Sequence, residues 1–299
     1  MDRFHLMNVF VAVAEEQGFA AASRRLKMSP PAVTRAIAAL ENHLGVKLLN
    51  RTTRYVRTTD AGQGYLEDAR SVLAEADAAD EAASGVNAKP RGHLAITAPV
   101  MFGRMFVMPS IVEYLKDYPD TEISAVFLDR VVNLLEEGLD VGIRIGELPD
   151  STMRAIRIGS VRQVVCASPE YLRVHGYPEE PQHLGNHVLV VSSAGSGIQD
   201  WKFVTGNGLR SQRIRPRLTV TTNDAAIEAV LDNFGITRLL SYQIAPHVAD
   251  GALEILLQDY EPLPLPIHIV HREGRLATVK VRSFIDFIVA RLRTDPAFN

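Results

Sequence analysis

The chain has 299 residues, 46% of them hydrophobic and 22% charged, and a formal net charge of −3. That is the length of about two domains and the composition of an ordinary globular protein, which excludes a disordered, fibrous or collagen-like chain. A single cysteine excludes an intrachain disulfide; no run is long enough to span a bilayer, and the apolar run from Asn8 to Ala14 meets Glu15 and Glu16 without a cleavage site, so the expected location is a reducing cytoplasm and a membrane is not an expected partner.

The N-terminal part reads as helices. The first is expected from Arg3 to Glu16, with Leu6, Phe10 and Val13 on its inner face. The second runs from Phe19 to Lys27, with Phe19, Ala22 and Leu26 at helical spacing. Met28 and Ser29 interrupt the pattern. Ser29 is a favourable N-cap, and Pro30 loses no hydrogen bond in a first turn. The third helix continues to Leu44: Val33, Ile37, Leu40 and Leu44 form one apolar stripe, and Gly45 is a suitable terminator. Pro31, Arg35, Ala38 and Asn42 point the other way, with Thr34 at the edge. That face is narrow, small and carries a cation, as a helix lying in a major groove requires. In isolation the same face reads more often as a solvated surface.

Its context favours DNA. After Gly45, Leu48 and Leu49 lead into Arg51-Thr52-Thr53-Arg54 and Tyr55-Val56-Arg57, a short β-hairpin whose basic, hydroxyl-rich tip suits phosphate oxygens. Residues 1–59 hold nine Lys and Arg against four Asp and Glu, whereas residues 60–85 hold one against seven. A basic head on an acidic segment is the pattern of a DNA-facing module joined to a part held off the DNA.

These residues resemble the LysR-type transcriptional regulators. The matching positions are Phe10, Gly18-Phe19, Ala22, Leu26, Ser29-Pro30-Pro31-Ala32-Val33-Thr34-Arg35, Ile37, Leu40-Glu41, Leu44-Gly45-Val46, Leu48-Leu49, Arg51-Thr52, Thr59 and Ala61-Gly62. The resemblance covers the whole chain, because the remainder is similar to that family's effector-binding domain. It implies an N-terminal all-α winged helix-turn-helix domain over 1–59, a dimerising linker helix over 60–85, and a hinge over 86–91. A two-lobed α/β effector-binding domain over 92–299, of the type 2 periplasmic-binding-protein kind, would follow. The implied partners are double-stranded DNA, a small-molecule effector, further copies of the chain (dimer or tetramer) and RNA polymerase. No cofactor, metal or enzymatic activity is implied. Carried onto the motif, DNA contacts fall to Ser29, Pro30, Pro31, Thr34, Arg35, Asn42, Arg51, Thr52, Thr53 and Arg54. Two positions depart from the family. Pro30 stands where relatives often carry a base-reading glutamine, which shifts base reading to Thr34 and Arg35. Ala20 replaces the usual hydroxyl cap of the second helix, a loss of about 1 kcal/mol at most.

Thr59 or Asp60 can cap a long helix running to Ser84. Its Leu66, Ala69, Leu73, Ala76 and Ala83 approximate a 3.5-residue seam broken by Asp80, read as a dimerisation face. The alternative is an amphipathic linker packed on its own domain. Gly85, Asn87, Pro90 and Gly92 mark the hinge. Beyond it the pattern turns α/β. A strand from Leu94 to Ala98 precedes a helix carrying Phe106, Ile111, Val112 and Leu115. Next come a strand through Ile123, Ala125 and Phe127, a helix from Val132 to Glu137, and a strand through Val141, Ile143 and Ile145. A second set has strands from Val164 to Ala167, Val188 to Val191 and Leu218 to Thr222, and a helix from Asp224 to Asn233. A strand from Ile267 to His271 and a helix from Val279 to Leu292 close the chain. Such alternation implies open, parallel-type sheets. Crossings near Val161 and Leu265 divide them into one lobe of 92–161 with 266–299 and another of 162–265, with the ligand between.

Enzyme chemistry finds little support. Gly195-Ser196-Gly197 lacks the spacing of a nucleophile elbow. Pro181 and Gly185 argue against a helix joining His183 to His187, and no further ligand completes a metal site. Cys166 reads as a small core residue, or alternatively as a redox sensor. A free solute-binding protein would need an export signal. The cleft is expected to be lined by Thr97, Pro99, Val100 and Phe102 on one side and by Ser192, Ser193, Thr222 and Asn223 on the other. Strand-end hydroxyls, an Asn223 helix cap and the cation of Arg144 favour an organic acid. Arg144 is alternatively a structural partner of Asp140 or Glu147. Pro99 and Val100 bring no donor, so the effector is expected to be an amphipathic metabolite, an aromatic one among them, and not a bare inorganic anion.

Overall fold

The computed structural model describes residues 2–51, 56–83, 89–148, 153–193, 200–206, 208–272 and 278–298. The chain divides into two compact units, Met1–Lys89 with Gly274–Val279, and Pro90–Glu273 with Lys280–Asn299.

The first unit holds α1 (Arg3–Glu15), α2 (Phe19–Arg25), α3 (Pro30–Leu44), an antiparallel hairpin of β1 (Leu49–Arg51) and β2 (Val56–Thr58), and α4 (Asp60–Ala83). Leu6, Phe10, Val13, Ala22, Val33, Ile37 and Leu40 meet in one buried cluster, as their spacing requires. Gly45 ends α3 with φ of 70°, a left-handed conformation that costs glycine little. Two expected caps differ. Gly18, and not position 20, is the N-cap of α2. Ser29 occupies the N-cap of α3, but its side chain makes no capping bond. Pro31 removes an N–H that a cap oxygen would reach, and the Ala32 N–H turns to the Ser29 carbonyl at 2.9 Å.

Glu41 is a charged residue on the inner face of α3, only 3% exposed. It accepts hydrogen bonds from the N–H groups of Leu48 (3.0 Å) and Leu49 (3.2 Å) and from Lys47 Nζ (2.7 Å). The carboxylate thus satisfies the backbone where the chain leaves α3 for the hairpin.

The start of α4 is tied to the same place. Thr59 Oγ1 accepts from the Gly62 N–H at 2.9 Å, and the Leu48 carbonyl fills the space a side chain on Gly62 would need. Leu66 and Ala69 are buried in the core of this unit, and Leu73 packs against it. Arg70 pairs with Glu15 at 2.8 Å, and Arg25 pairs with the same carboxylate at 2.7 Å. This corrects the expected seam: Leu66 and Ala69 are consumed within their own unit and have no surface left for a second chain, while Ala76 remains half-exposed.

In the second unit β3 (Gly92–Ala98) leads into one continuous helical segment of α5 (Val100–Phe102), a π-helical turn (Gly103–Val107) and α6 (Met108–Asp117). There follow β4 (Thr121–Phe127), β5 (Val141–Ile145), β6 (Met153–Val161), β7 (Gln163–Ala167), α7 (Pro169–His175), β8 (Val190–Ser192), β9 (Asp200–Thr205), β10 (Gly208–Arg213) and β11 (Leu218–Val220). The last elements are α8 (Asn223–Leu231), β12 (Thr237–Leu240), α9 (Ser241–Ala249), β13 (Glu254–Leu256), β14 (Leu265–Arg272) and α10 (Val279–Leu292).

One lobe is the five-stranded sheet β4-β3-β5-β14-β6. The expectation of parallel-type sheets needs correction. β3 is parallel to β4 and β5, but β14 is antiparallel to both β5 and β6, because it enters the sheet on return from the other lobe. The other lobe has β7 between antiparallel β12 and β13, and parallel β8 and β11. A bridge from Leu189 to Ile236 joins the two sets. The chain crosses between lobes at Arg162 and returns before Leu265; Arg162 Nη1 lies 2.9 Å from both carboxylate oxygens of Glu261, linking the two crossings.

The stretch 132–137 is a turn and not a helix. Asn133 Oδ1 accepts from the Leu135 N–H (3.0 Å), its amide donates to Glu136, and Gly138 at φ 63° closes the turn after one cycle. His183 and His187 are joined by a 3₁₀ helix, Pro181–Asn186, which accommodates the proline at its first position. No group of three metal-binding side chains is found among the described residues. Gly195-Ser196-Gly197 lies outside them.

Removing the Glu41 carboxylate should detach the hairpin root. Glu41→Ala is expected to cost about 1–3 kcal/mol, since two buried N–H groups lose their acceptor. Burial acts to raise the Glu41 pKa, but the bonds from Lys47, Leu48 and Leu49 outweigh it and hold the carboxyl below its ordinary value. The contribution is therefore present above about pH 4.3 and lost as pH falls through the lower folded value. Urea titrations of wild type and variant at neutral and acid pH measure the difference; a variant as stable as wild type at neutral pH would remove Glu41 from this role.

Candidate functional site

The exposed face of α3 follows from what its inner face buries. Ser29, Pro30, Pro31, Thr34, Arg35 and Asn42 are all exposed, while Val33, Ala36, Ile37, Leu40 and Glu41 are buried. Thr34 Oγ1 donates to the Pro30 carbonyl at 3.0 Å, which commits its hydroxyl proton and leaves its methyl and lone pairs outward. No hydrogen bond or ion pair holds Arg35 among the described residues. Strand β1 starts at Leu49, whose N–H is held by Glu41 of this helix. Thr52, Thr53, Arg54 and the side chain of Arg51 lie outside the described residues.

The second site is a cleft of about 450 Å³ lined from both lobes of the second unit. Pro99, Asp129, Ile145 and Leu265 come from the first lobe or its edge, and Gln163 from the crossing. Val191, Ser192, Asp200, Trp201, Lys202, Asn223, Arg238, Leu239, Leu240, Tyr242 and Gln243 come from the second. This is the size and mixed lining of a small-molecule pocket.

Its polar groups are individually positioned. The Val100 N–H donates to Asp129 Oδ1 at 3.0 Å. Burial raises the pKa of Asp129, the Val100 bond opposes this, and nearby Asp224 adds to the rise. Gln243 Oε1 accepts from the Leu240 N–H at 2.9 Å. Arg238 donates through Nη1 to the Lys202 carbonyl at 3.2 Å, and its guanidinium carbon lies 5.4 Å from the centroid of the Trp201 ring. Burial alone pulls its pKa down to about 10.

Two family models decide the identity. Residues 4–63 match the bacterial regulatory helix-turn-helix protein of the lysR family, and residues 87–293 match the LysR substrate binding domain. The chain belongs to the LysR family of transcriptional regulators. It is 31% identical over 292 residues to an HTH-type transcriptional regulator of Xanthomonas campestris pv. campestris, covering 96% of this chain and 85% of that one. It is 30% identical to the HTH-type transcriptional regulator CrgA of Neisseria meningitidis serogroup B, over 96% of each chain. The solved structure of CrgA matches with a TM-score of 0.63, covering 96% of this chain and 98% of that one. The full-length structure of the Vibrio cholerae virulence activator AphB matches with a TM-score of 0.62 at 26% identity, covering 97% and 99%. The protein is thus a DNA-binding transcriptional regulator with an effector-binding domain, and not an enzyme.

Within this LysR-family fold the expected ligand residues separate. Pro99, Ser192 and Asn223 line the cleft. Thr222, and not Asn223, caps α8, accepting from the Ala225 N–H at 3.4 Å; it lines a smaller recess with Met101, Arg104, Asp224, Glu228 and His247. Ser193 turns its hydroxyl to the Val220 carbonyl at 3.1 Å. Val100 is exposed but contributes its N–H to Asp129 rather than a wall. Phe102 is fully buried, stacked on Phe298 at 5.2 Å and edge-on to Tyr242 at 5.5 Å, so it backs the cleft wall without touching the space. Thr97 is buried on the opposite sheet face, the face that carries Gly142 and Val270. Arg144 shares that face and donates to the Val132 carbonyl at 2.8 Å, with Glu137 as its nearest opposing charge; it supplies the cleft with no cation. Cys166 is buried, which pushes its thiol up to about 12, so it is a core residue and not a reactive thiol.

Sequence reasoning missed Asp129, Gln163, Lys202, Trp201, Arg238, Tyr242 and Gln243. A signal was present for Arg238: a lone arginine inside the apolar run Ile236-Thr237-Arg238-Leu239-Leu240.

Proposed function

We propose that this LysR-family regulator reads a pseudo-palindromic operator with α3 in the major groove and the hairpin on the flanking backbone. A small organic effector, acid or aromatic in character, would occupy the cleft and bias the two lobes. The observation that carries the DNA reading is the one-sided attachment of α3: among the described residues its buried side chains Val33, Ala36, Ile37, Leu40 and Glu41 hold it on the inner face, and no hydrogen bond or ion pair holds Arg35 on the other. The cleft supports the effector reading by its size, its apolar walls and its few separate polar groups. Thr34 and Arg35 read bases; Ser29, Pro30, Pro31 and Asn42 shape the approach, and Arg51, Thr52, Thr53 and Arg54 meet phosphates. The regulator works as a dimer or tetramer, since a pseudo-palindrome needs paired modules at half-sites about one helical turn apart.

Arg35→Ala should cost about 1–3 kcal/mol on the operator and relax discrimination at one base pair. Fluorescence anisotropy against operator and scrambled duplexes measures both; equal affinities for the two proteins on both duplexes would take α3 out of the groove.

Pairing through α4 must use the face that its own core leaves free. Val72 is 37% exposed there. Val72→Glu is expected to shift sedimentation of the full chain toward smaller species without lowering its melting temperature, whereas an unchanged distribution would locate the interface off this face.

The effector reading is tested by filling the cleft. Ser192→Trp should abolish the melting-temperature increase that an organic acid gives the wild type, and with it that acid's effect on operator binding. A shift that survives the substitution would put the effector elsewhere.

A further inference from the structure

We propose that Arg238 anchors a carboxylate of the effector, and that the effector is an organic monocarboxylate with an apolar body. This rests on the reading that the cleft is the effector site, and it specifies what that site selects.

Arg238 is a cation with no carboxylate partner among the described residues. It is partly buried, and among the described residues its guanidinium forms one hydrogen bond, to the Lys202 carbonyl at 3.2 Å. Asp200, which also lines the cleft, accepts instead from Ser211 Oγ at 3.4 Å. A guanidinium offers five N–H donors in a planar fork that matches a carboxylate edge. Taking it out of water without an anion is unfavourable, so a partner that arrives later gains what the empty site lacks.

The fork is also held in place. Trp201, 4% exposed, lies under the guanidinium at 5.4 Å, and Arg238 itself is fixed in β12 by pairing with Val165 of β7. Orientation of this kind reduces the ordering cost when a ligand binds.

The rest of the lining sets the ligand class. Ile145 and Leu265 on one lobe and Val191 and Leu240 on the other are half-buried apolar surfaces of the same cleft. An inorganic anion would leave them uncovered. The first lobe contributes Asp129 to the same lining, and its carboxylate would repel a second carboxylate. One carboxylate and one apolar body satisfy both walls.

The test compares acids with neutral isosteres on the full-length protein. Isothermal titration would use benzoate against benzamide and hexanoate against hexanamide, on wild type, Arg238→Gln, Arg238→Lys and Ser192→Trp. Wild type is expected to bind at least one acid about tenfold or more tightly than its amide, a difference of about 1.4 kcal/mol. Arg238→Gln should bring that ratio close to one, and Arg238→Lys should keep a preference for the acid. A ratio near one in wild type, or no binding of either acid, overturns the proposal without reliance on any variant. A preference that survives Arg238→Gln but is lost with Ser192→Trp overturns the role of Arg238 and leaves the cleft as the site. Acid binding that survives Ser192→Trp overturns both.

Discussion

A helix can be offered to a DNA groove only if everything that holds it lies on its other side. In α3 that constraint is met by an apolar stripe and one buried carboxylate. The stripe fixes the helix against α1 and α2 but has no directional preference of its own. Glu41 supplies direction: its oxygens take two successive backbone N–H groups and the Lys47 ammonium, so the hairpin can leave α3 at one angle only. The end of α3 and the start of β1 are thereby held together, because a charge was buried and then fully satisfied.

The second unit obeys a different constraint. Its chain crosses between lobes twice, and the crossings are held together by Arg162 and Glu261. Strand ends from both lobes therefore converge on one space, where backbone and side-chain polar groups run out of partners from the sheets. Most are satisfied locally, as Ser193 is by Val220 and Gln243 by Leu240. Arg238 differs: among the described residues its guanidinium meets one carbonyl and no carboxylate, and a partly buried cation of that kind in a cleft suits a ligand's charge.

Sequence reading served the first unit better than the second, for a physical reason. The proposed reading face of α3 is one side of one helix, so residue spacing alone separates the buried stripe from the exposed one, and Gly45 marks the end. The cleft is assembled from β5, β8, β9, β12, α9 and both crossings, which no spacing relates. Short strands such as Thr237–Leu240 give little periodicity, and the hairpin of β9 and β10 is mostly polar on its exposed face. Thr97 and Arg144 were placed by the rule that ligands gather at strand ends. The rule found the right end of the sheet, but strand alternation turned both side chains to the other face. Ser29 shows the same limit at short range: its identity suits a cap, yet the proline two residues on withdraws the donor.

The linker helix joins these arguments. A helix that only tethered a DNA-binding module would keep its apolar face for a partner chain. Here Leu66, Ala69 and Leu73 enter the module's own core, and Arg70 shares the Glu15 carboxylate with Arg25 of α2. Burial pulls the pKa of Glu15 upward and the two guanidiniums pull it down further, leaving it below its usual range and charged at neutral pH. The first turns of α4 are consequently part of the same rigid body as α3. A change in the direction of α4 must reorient the reading face with it, because no soft joint lies between them. Spacing between two such helices then sets spacing between two reading faces, which is the quantity an operator with fixed half-sites measures.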